Sequence, residues 1–157
     1  MITKNSKIGE VIDACPATAE VFLKNGIHCI GCGASHFETI EQGLKVHGFT
    51  DREIEKVVAE LNKTSLKIIS ISETAAEKLK ALMKKQKKED YCLRVQAVKG
   101  RYGLDFEKAA KDDDEIVKEQ GLTFIIAKKT LPEVRGARIG YIESPVAGFS
   151  ITGPKRK

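Results

Sequence analysis

The hydrophobic period of this chain changes once, near Asn62-Lys63-Thr64-Ser65, and that change limits the folds open to it. Before the junction, apolar residues recur at helical spacing. Ile8, Val11 and Ile12 form a short stripe, Pro16 suits the first turn of a second helix carrying Ala19, Phe22 and Leu23, and Gly26 suits that helix's C-terminal cap. Ser35-His36-Phe37-Glu38 has the form of a capping box and predicts a helix through Ile40, Leu44 and Val46 to Gly48. Thr50-Asp51-Arg52-Glu53 repeats that signal ahead of Ile54, Val57, Val58 and Leu61. After the junction the period is two. Strands are predicted over 66–71, 91–98, 102–106, 122–127, 137–142 and 148–152, with turns at Lys99-Gly100-Arg101 and Gln120-Gly121. Ser72 caps one long helix whose positions Ala75, Ala76, Leu79, Leu82 and Met83 share a side. The reading is α+β: a small all-helical domain over 1–62, a β-rich domain with one main helix over 67–153, and a basic tail over 154–157 that is expected to fray.

An apolar share of 41% in 157 residues supports packed cores. No apolar run approaches the roughly 20 residues of a membrane span, and Met1 to Ser6 lack the apolar core of a signal peptide, so a cytoplasmic protein without a membrane partner is expected. Structural disulfides are rare in that compartment, so Cys15, Cys29, Cys32 and Cys92 are read as redox-active, metal-binding or simply buried. Lys78, Lys80, Lys84, Lys85, Lys87 and Lys88 cluster, yet acids intervene and aromatic residues make up only 6% of the chain. The cluster reads as a solvated helix face, and nucleic acid is not the expected partner.

The chemistry concentrates in His28-Cys29-Ile30-Gly31-Cys32-Gly33, a C-x-x-C pair in a glycine-rich break. Two thiols at this spacing can close a small disulfide ring or grip one metal ion from one side. A helix start at Ser35, with His28 adjacent, would favour thiolate and make Cys29 the attacking and Cys32 the resolving thiol. The competing reading is a metal site for iron, zinc or an iron-sulfur cluster. Four ligands would then be needed, the two beyond Cys29 and Cys32 coming from Cys15, from His28, His36 or His47, or from a second chain. Cys15 and Cys92 read more simply as buried residues, Cys92 in a strand core. His36 and His47 fall near opposite ends of one predicted helix, too far apart to share a metal. No acid–base pair, phosphate loop or nucleophile triad stands out, which leaves enzymatic activity undecided.

Two resemblances extend this reading. Ile8-Gly9-Glu10-Val11-Ile12, the run from Ala19 through Phe22 and Gly26 to Cys32, and Glu38-Thr39-Ile40-Glu41-Gln42-Gly43 resemble the hybrid-cluster-protein-associated redox disulfide domain. That resemblance implies a helical fold and a redox-active Cys29/Cys32 pair. The segment from Glu20 to Cys32 is also similar to the N-terminal domain of iron-sulfur cluster repair proteins. The run from Ile69 to Leu79, Leu93-Arg94-Val95, Tyr102-Gly103-Leu104-Asp105-Phe106 and Gly148-Phe149-Ser150-Ile151 resemble the HesB-like A-type iron-sulfur carriers. Such carriers hold iron or a cluster through one cysteine in a glycine-rich hairpin and two in a C-terminal Cys-Gly-Cys. Here the hairpin Val98-Lys99-Gly100-Arg101-Tyr102 has no cysteine, and Gly153-Pro154-Lys155-Arg156-Lys157 has no such pair. The resemblances imply an accessory of iron-sulfur cluster assembly or repair, acting through Cys29/Cys32 on an iron-sulfur or redox protein partner. The alternative is an adaptor module whose cysteines are structural or complete a metal site across a homodimer.

Overall fold

The computed structural model describes residues 1–28 and 37–155, which form two compact units, one of 1–67 with 154–157 and one of 68–153. The first unit is helical: α1 (Ile8–Ala14), a 3-10 turn (Pro16–Thr18), α2 (Ala19–Lys24), α3 (Ile40–Val46) and α4 (Asp51–Ser65). Pro16 opens the 3-10 turn, where its missing N–H costs nothing. Gly26, at φ +79°, adopts the left-handed conformation that follows α2. Ile8, Phe22, Ile40, Leu44, Ile54 and Leu61 are fully buried against one another. The N-terminus is fastened to α4 by Asn62, whose Oδ1 accepts from Ile2 N–H at 2.9 Å while its Nδ2 donates to Ile2 O at 2.8 Å.

Three expectations change here. α3 starts at Ile40, not after Ser35: Phe37 and Glu38 are non-helical, and Thr39 caps the helix in a capping box with Gln42. Residues 37–39 are held out of helix by the N-terminal segment, since Lys7 bridges Thr39, Ile8 N–H donates to Glu38 O and Ile40 N–H to Ser6 O. α4 continues to Ser65 with Leu66 as its C-cap, which shortens the first strand to Ile69–Ile71. The periodic apolar face ends at Leu61, but Leu66 N–H still bonds Lys63 O. The tail does not fray at Lys155, whose N–H donates to Asp13 O and whose Nζ pairs with Asp13 Oδ1, both at 2.8 Å.

The second unit comprises β1 (Ile69–Ile71), α5 (Glu73–Lys85), β2 (Cys92–Val98), β3 (Arg101–Glu107), β4 (Asp114–Glu119), β5 (Leu122–Ala127), α6 (Leu131–Val134), β6 (Ala137–Ile142) and β7 (Gly148–Thr152). The capping at Ser72 is as expected, its hydroxyl accepting from Ala75 N–H at 3.2 Å. Two sheets form, in the orders β1-β6-β7 and β3-β2-β5-β4, with β1 parallel to β6 and β2 parallel to β5. Leu79, Leu93, Val95, Phe124, Ile126 and Ile139 form the shared core with α5. This is the mixed helix-and-strand architecture expected of the chain, with β4 as an addition. The lysines of the cluster are exposed as expected apart from Lys88, beyond the end of α5, which is half-buried with its ammonium over the rings of Phe106 and Tyr91. Among the described residues, no helix is long and apolar enough to cross a membrane.

Candidate functional site

The thiol pair Cys29/Cys32 lies outside the described residues, as does His36. Its flanks are described. On one side Ile27 is buried in the helical core and His28 is exposed; on the other Phe37 is 79% exposed and leads to the Thr39 cap. The cap's position revises the electrostatic expectation. A helix terminus acts only within about its first turn, and Thr39 stands ten residues after Cys29 in sequence. The ordering of attacking and resolving thiols itself falls on residues outside the described ones.

Of the other candidate ligands, Cys15, His28 and His47 lie among the described residues. Cys15, between α1 and the 3-10 turn, is buried, and burial pushes its thiol pKa up, away from the thiolate a metal or nucleophile requires. His28 and His47 are both exposed. Among the described residues, no three or more His, Cys, Asp or Glu side chains gather as a metal site. Cys92 departs from its expected core role. It is half-buried on the face of β2 opposite Leu93 and Val95, and lines a cavity of about 300 Å³ with Lys80, Tyr91 and Thr123.

One buried polar constellation was not foreseen from the sequence. Arg94, on the same face as Cys92, is only 7% exposed. Its Nη1 and Nη2 donate to Asp114 at 2.8 and 2.6 Å, and its Nε and Nη2 donate to Glu107 at 2.5 and 2.8 Å. One guanidinium thus joins β4 to β3 across the sheet through two bidentate pairs. Its partner across the β2–β5 ladder, Ile125, is fully buried. Hydrogen bonds from Arg94 pull the Asp114 carboxyl down to about 2 and hold Glu107 below the usual glutamate range, while the guanidinium is pushed above its ordinary value. The signal was an arginine inside the apolar run Leu93-Arg94-Val95, with acids on strands to either side.

The sign of the acid response follows. A carboxylate with a depressed folded pKa contributes stability above its unfolded value and loses it as pH falls through the folded one. Asp114 should therefore stabilise the second unit fully above its ordinary value of 3.8 and cease to do so near about 2. Urea midpoints measured across that window should fall with pH in the wild type, and the fall should be much reduced in Asp114→Asn.

At the other end of β2, Lys99 and Gly100 take φ of +50° and +77° and make the shortest connection a hairpin uses. Just beyond, Tyr102 donates its hydroxyl hydrogen to Glu133 O at 3.0 Å. Its ring packs so closely on Gly153 that a Cβ at 153 would overlap the phenol. The turn end of the hairpin and the end of β7 therefore meet around a tyrosine.

A long helix, α5, packed with a three-stranded and a four-stranded sheet and a tight hairpin, gives a HesB-like scaffold, and the chain belongs to that family. It is 32% identical over 95 residues to the iron-sulfur cluster insertion protein ErpA of Stenotrophomonas maltophilia (strain K279a), covering 57% of this chain and 73% of that protein. It is 33% identical over 93 residues to the uncharacterized protein SufA of Bacillus subtilis, covering 55% of this chain and 77% of that one. The crystal structure of Escherichia coli SufA, described as involved in biosynthesis of iron-sulfur clusters, is similar at a TM-score of 0.48 and 21% identity, over 56% of this chain and 87% of that chain. Residues 2–54 match a domain of unknown function, DUF1858.

The residues of the second unit do not fit an iron-sulfur cargo of the carrier kind. Its sole cysteine, Cys92, begins β2, some six residues or about 20 Å of strand from the Lys99–Gly100 turn. Where the turn end of the hairpin and Gly153 meet, the space holds the Tyr102 phenol.

Proposed function

We propose that this protein is an accessory of iron-sulfur cluster assembly or repair in which Cys29 and Cys32 do the sulfur chemistry and the HesB-like unit recognises a partner. One observation carries the reading: a HesB-like unit with relatives named for cluster insertion retains a single cysteine, while the helical unit of the same chain carries a C-x-x-C. The relatives support the iron-sulfur context and the residue distribution supports the division of labour. In the redox form of the mechanism, one thiolate of the pair attacks a disulfide of an iron-sulfur or redox protein and forms a mixed disulfide. The second thiolate then displaces the partner, which leaves as a dithiol while Cys29–Cys32 closes. Two electrons pass to the partner, and the protons lost by this pair reappear on the released thiols. A pair that holds iron, zinc or a cluster instead supplies two thiolates per chain and requires two further ligands.

Anaerobic purification of the full chain, with absorption spectrum, metal content and thiol count measured on one sample, tests this. Expected is either bound metal or a reversible loss of two thiols on mild oxidation, abolished in Cys29→Ser and in Cys32→Ser and preserved in Cys92→Ser. A colourless, metal-free protein that forms no disulfide would overturn the reading.

A further inference from the structure

Strands β1, β6 and β7 send one set of side chains inward: Ile69, Ile71, Ala137 and Ile139 belong to the core, and Tyr141, Phe149 and Ile151 pack against it. Alternation puts Ser70, Arg138, Gly140, Ser150 and Thr152 on the opposite face. Register sets them in two rows. Ser70 pairs with Arg138 and Arg138 with Thr152, while Gly140 pairs with Ser150. Neighbouring strands stand about 4.8 Å apart, so Arg138 rises from the sheet between two hydroxyl-bearing residues.

Two observations mark this face. Ser70 is only 5% exposed, and among the described residues its Oγ has no hydrogen-bond partner. A dehydrated hydroxyl is costly, and alanine would fill such a strand position without that cost. The second observation is at Gly140. A Cβ built there would lie 3.0 Å from Ser150 Oγ and 3.1 Å from Arg138 Nη1, so a hydroxyl and a guanidinium nitrogen converge over bare backbone. The three strands carry no acidic residue, and Arg138 is their single charge.

We propose that this face binds a phosphoryl group, as free phosphate or a phosphate monoester, with Arg138 as the charged anchor and Ser150 and Ser70 as hydroxyl donors. A guanidinium offers its N–H groups as a planar fork that suits a carboxylate or a phosphate. The hydroxyls decide between the two. They stand on the strands to either side of Arg138, out of line with its fork. A carboxylate has both oxygens taken by the fork, whereas a tetrahedral phosphate keeps further oxygens for donors on either side. Glycine at 140 leaves the anion room to approach the sheet. All members belong to the second unit, and the site stands or falls independently of the thiol chemistry.

The test titrates the full chain with inorganic phosphate at low ionic strength and follows backbone amides by proton–nitrogen NMR. Saturable shifts are expected at Ser70, Arg138, Gly140 and Ser150. Arg138→Gln should weaken binding by about tenfold or more and Ser70→Ala by about fivefold, whereas Arg101→Gln, at an exposed arginine of the other sheet, should leave it unchanged. Acetate should bind about tenfold more weakly than phosphate. Phenyl phosphate distinguishes the sources: binding as tight as that of inorganic phosphate assigns a monoester, and weaker binding assigns the free ion. Without phosphate, the urea midpoint of Ser70→Ala should equal or exceed that of the wild type, because the hydroxyl removed has no partner to lose. A lower midpoint overturns the proposal. So does a wild type that shows no saturation below about 20 mM phosphate, an Arg138→Gln variant that binds phosphate equally well, or acetate that binds as tightly as phosphate.

Discussion

Arg94→Met is expected to destabilise the second unit by about 3–5 kcal/mol, because it strands two carboxylates in a site built for a guanidinium. Asp114 has a side chain only 1% exposed and cannot recover the lost hydrogen bonds from water without opening the sheet. Urea unfolding followed by circular dichroism reads the change. Arg94→Met combined with Asp114→Leu and Glu107→Leu should recover most of the loss, since an apolar replacement of a buried ion network is often near neutral. A single variant within about 1 kcal/mol of wild type would show that the network is solvated in solution.

Phe22→Ala should remove about a third or more of the stability of the helical unit. Phe22 is fully buried at the centre of a core of about ten residues, and truncating a buried phenylalanine costs about 3–5 kcal/mol. A unit of some 67 residues holds only about 3–10 kcal/mol in reserve. Hydrogen exchange on the full chain should show residues of α1 to α4 losing protection while β2 and β5 keep theirs. Persistent protection of Leu44 and Leu61 in Phe22→Ala would contradict this. The thiol pair follows the segment that Ile27 anchors in this core, so alkylation of Cys29 and Cys32 should be faster in Phe22→Ala than in the wild type.

The sequence made most elements legible wherever a side-chain period or a turn residue marked them. Strands β5, β6 and β7 and the caps at Ser72 and Thr50 fall where alternation and capping chemistry put them. β4 escaped because Lys111-Asp112-Asp113-Asp114-Glu115 has the composition of a solvated loop; its strand character comes from pairing with β5 and from the ion pair that Asp114 makes with Arg94. The start of α3 was misplaced because two capping boxes compete within five residues. Thr39 prevails through tertiary bonds to the N-terminal segment that no local pattern encodes. Of the candidate site, the C-x-x-C was plain in sequence and lies outside the described residues, while the Arg94 network needed strand pairing to bring together residues 13 and 20 positions apart.

The Lys99–Gly100 turn bears on which substitutions this hairpin accepts. Both of its residues are committed to left-handed backbone, and the strands on either side are paired up to Val98 and Arg101, so the hairpin has no spare position. A cysteine substituted at Gly100 would have to adopt a conformation disfavoured by its own Cβ, whereas the side chain at Lys99 already occupies left-handed backbone. Of the two turn positions, Gly100 is therefore the one at which any side chain strains the hairpin, and Lys99 the one that accepts exchange.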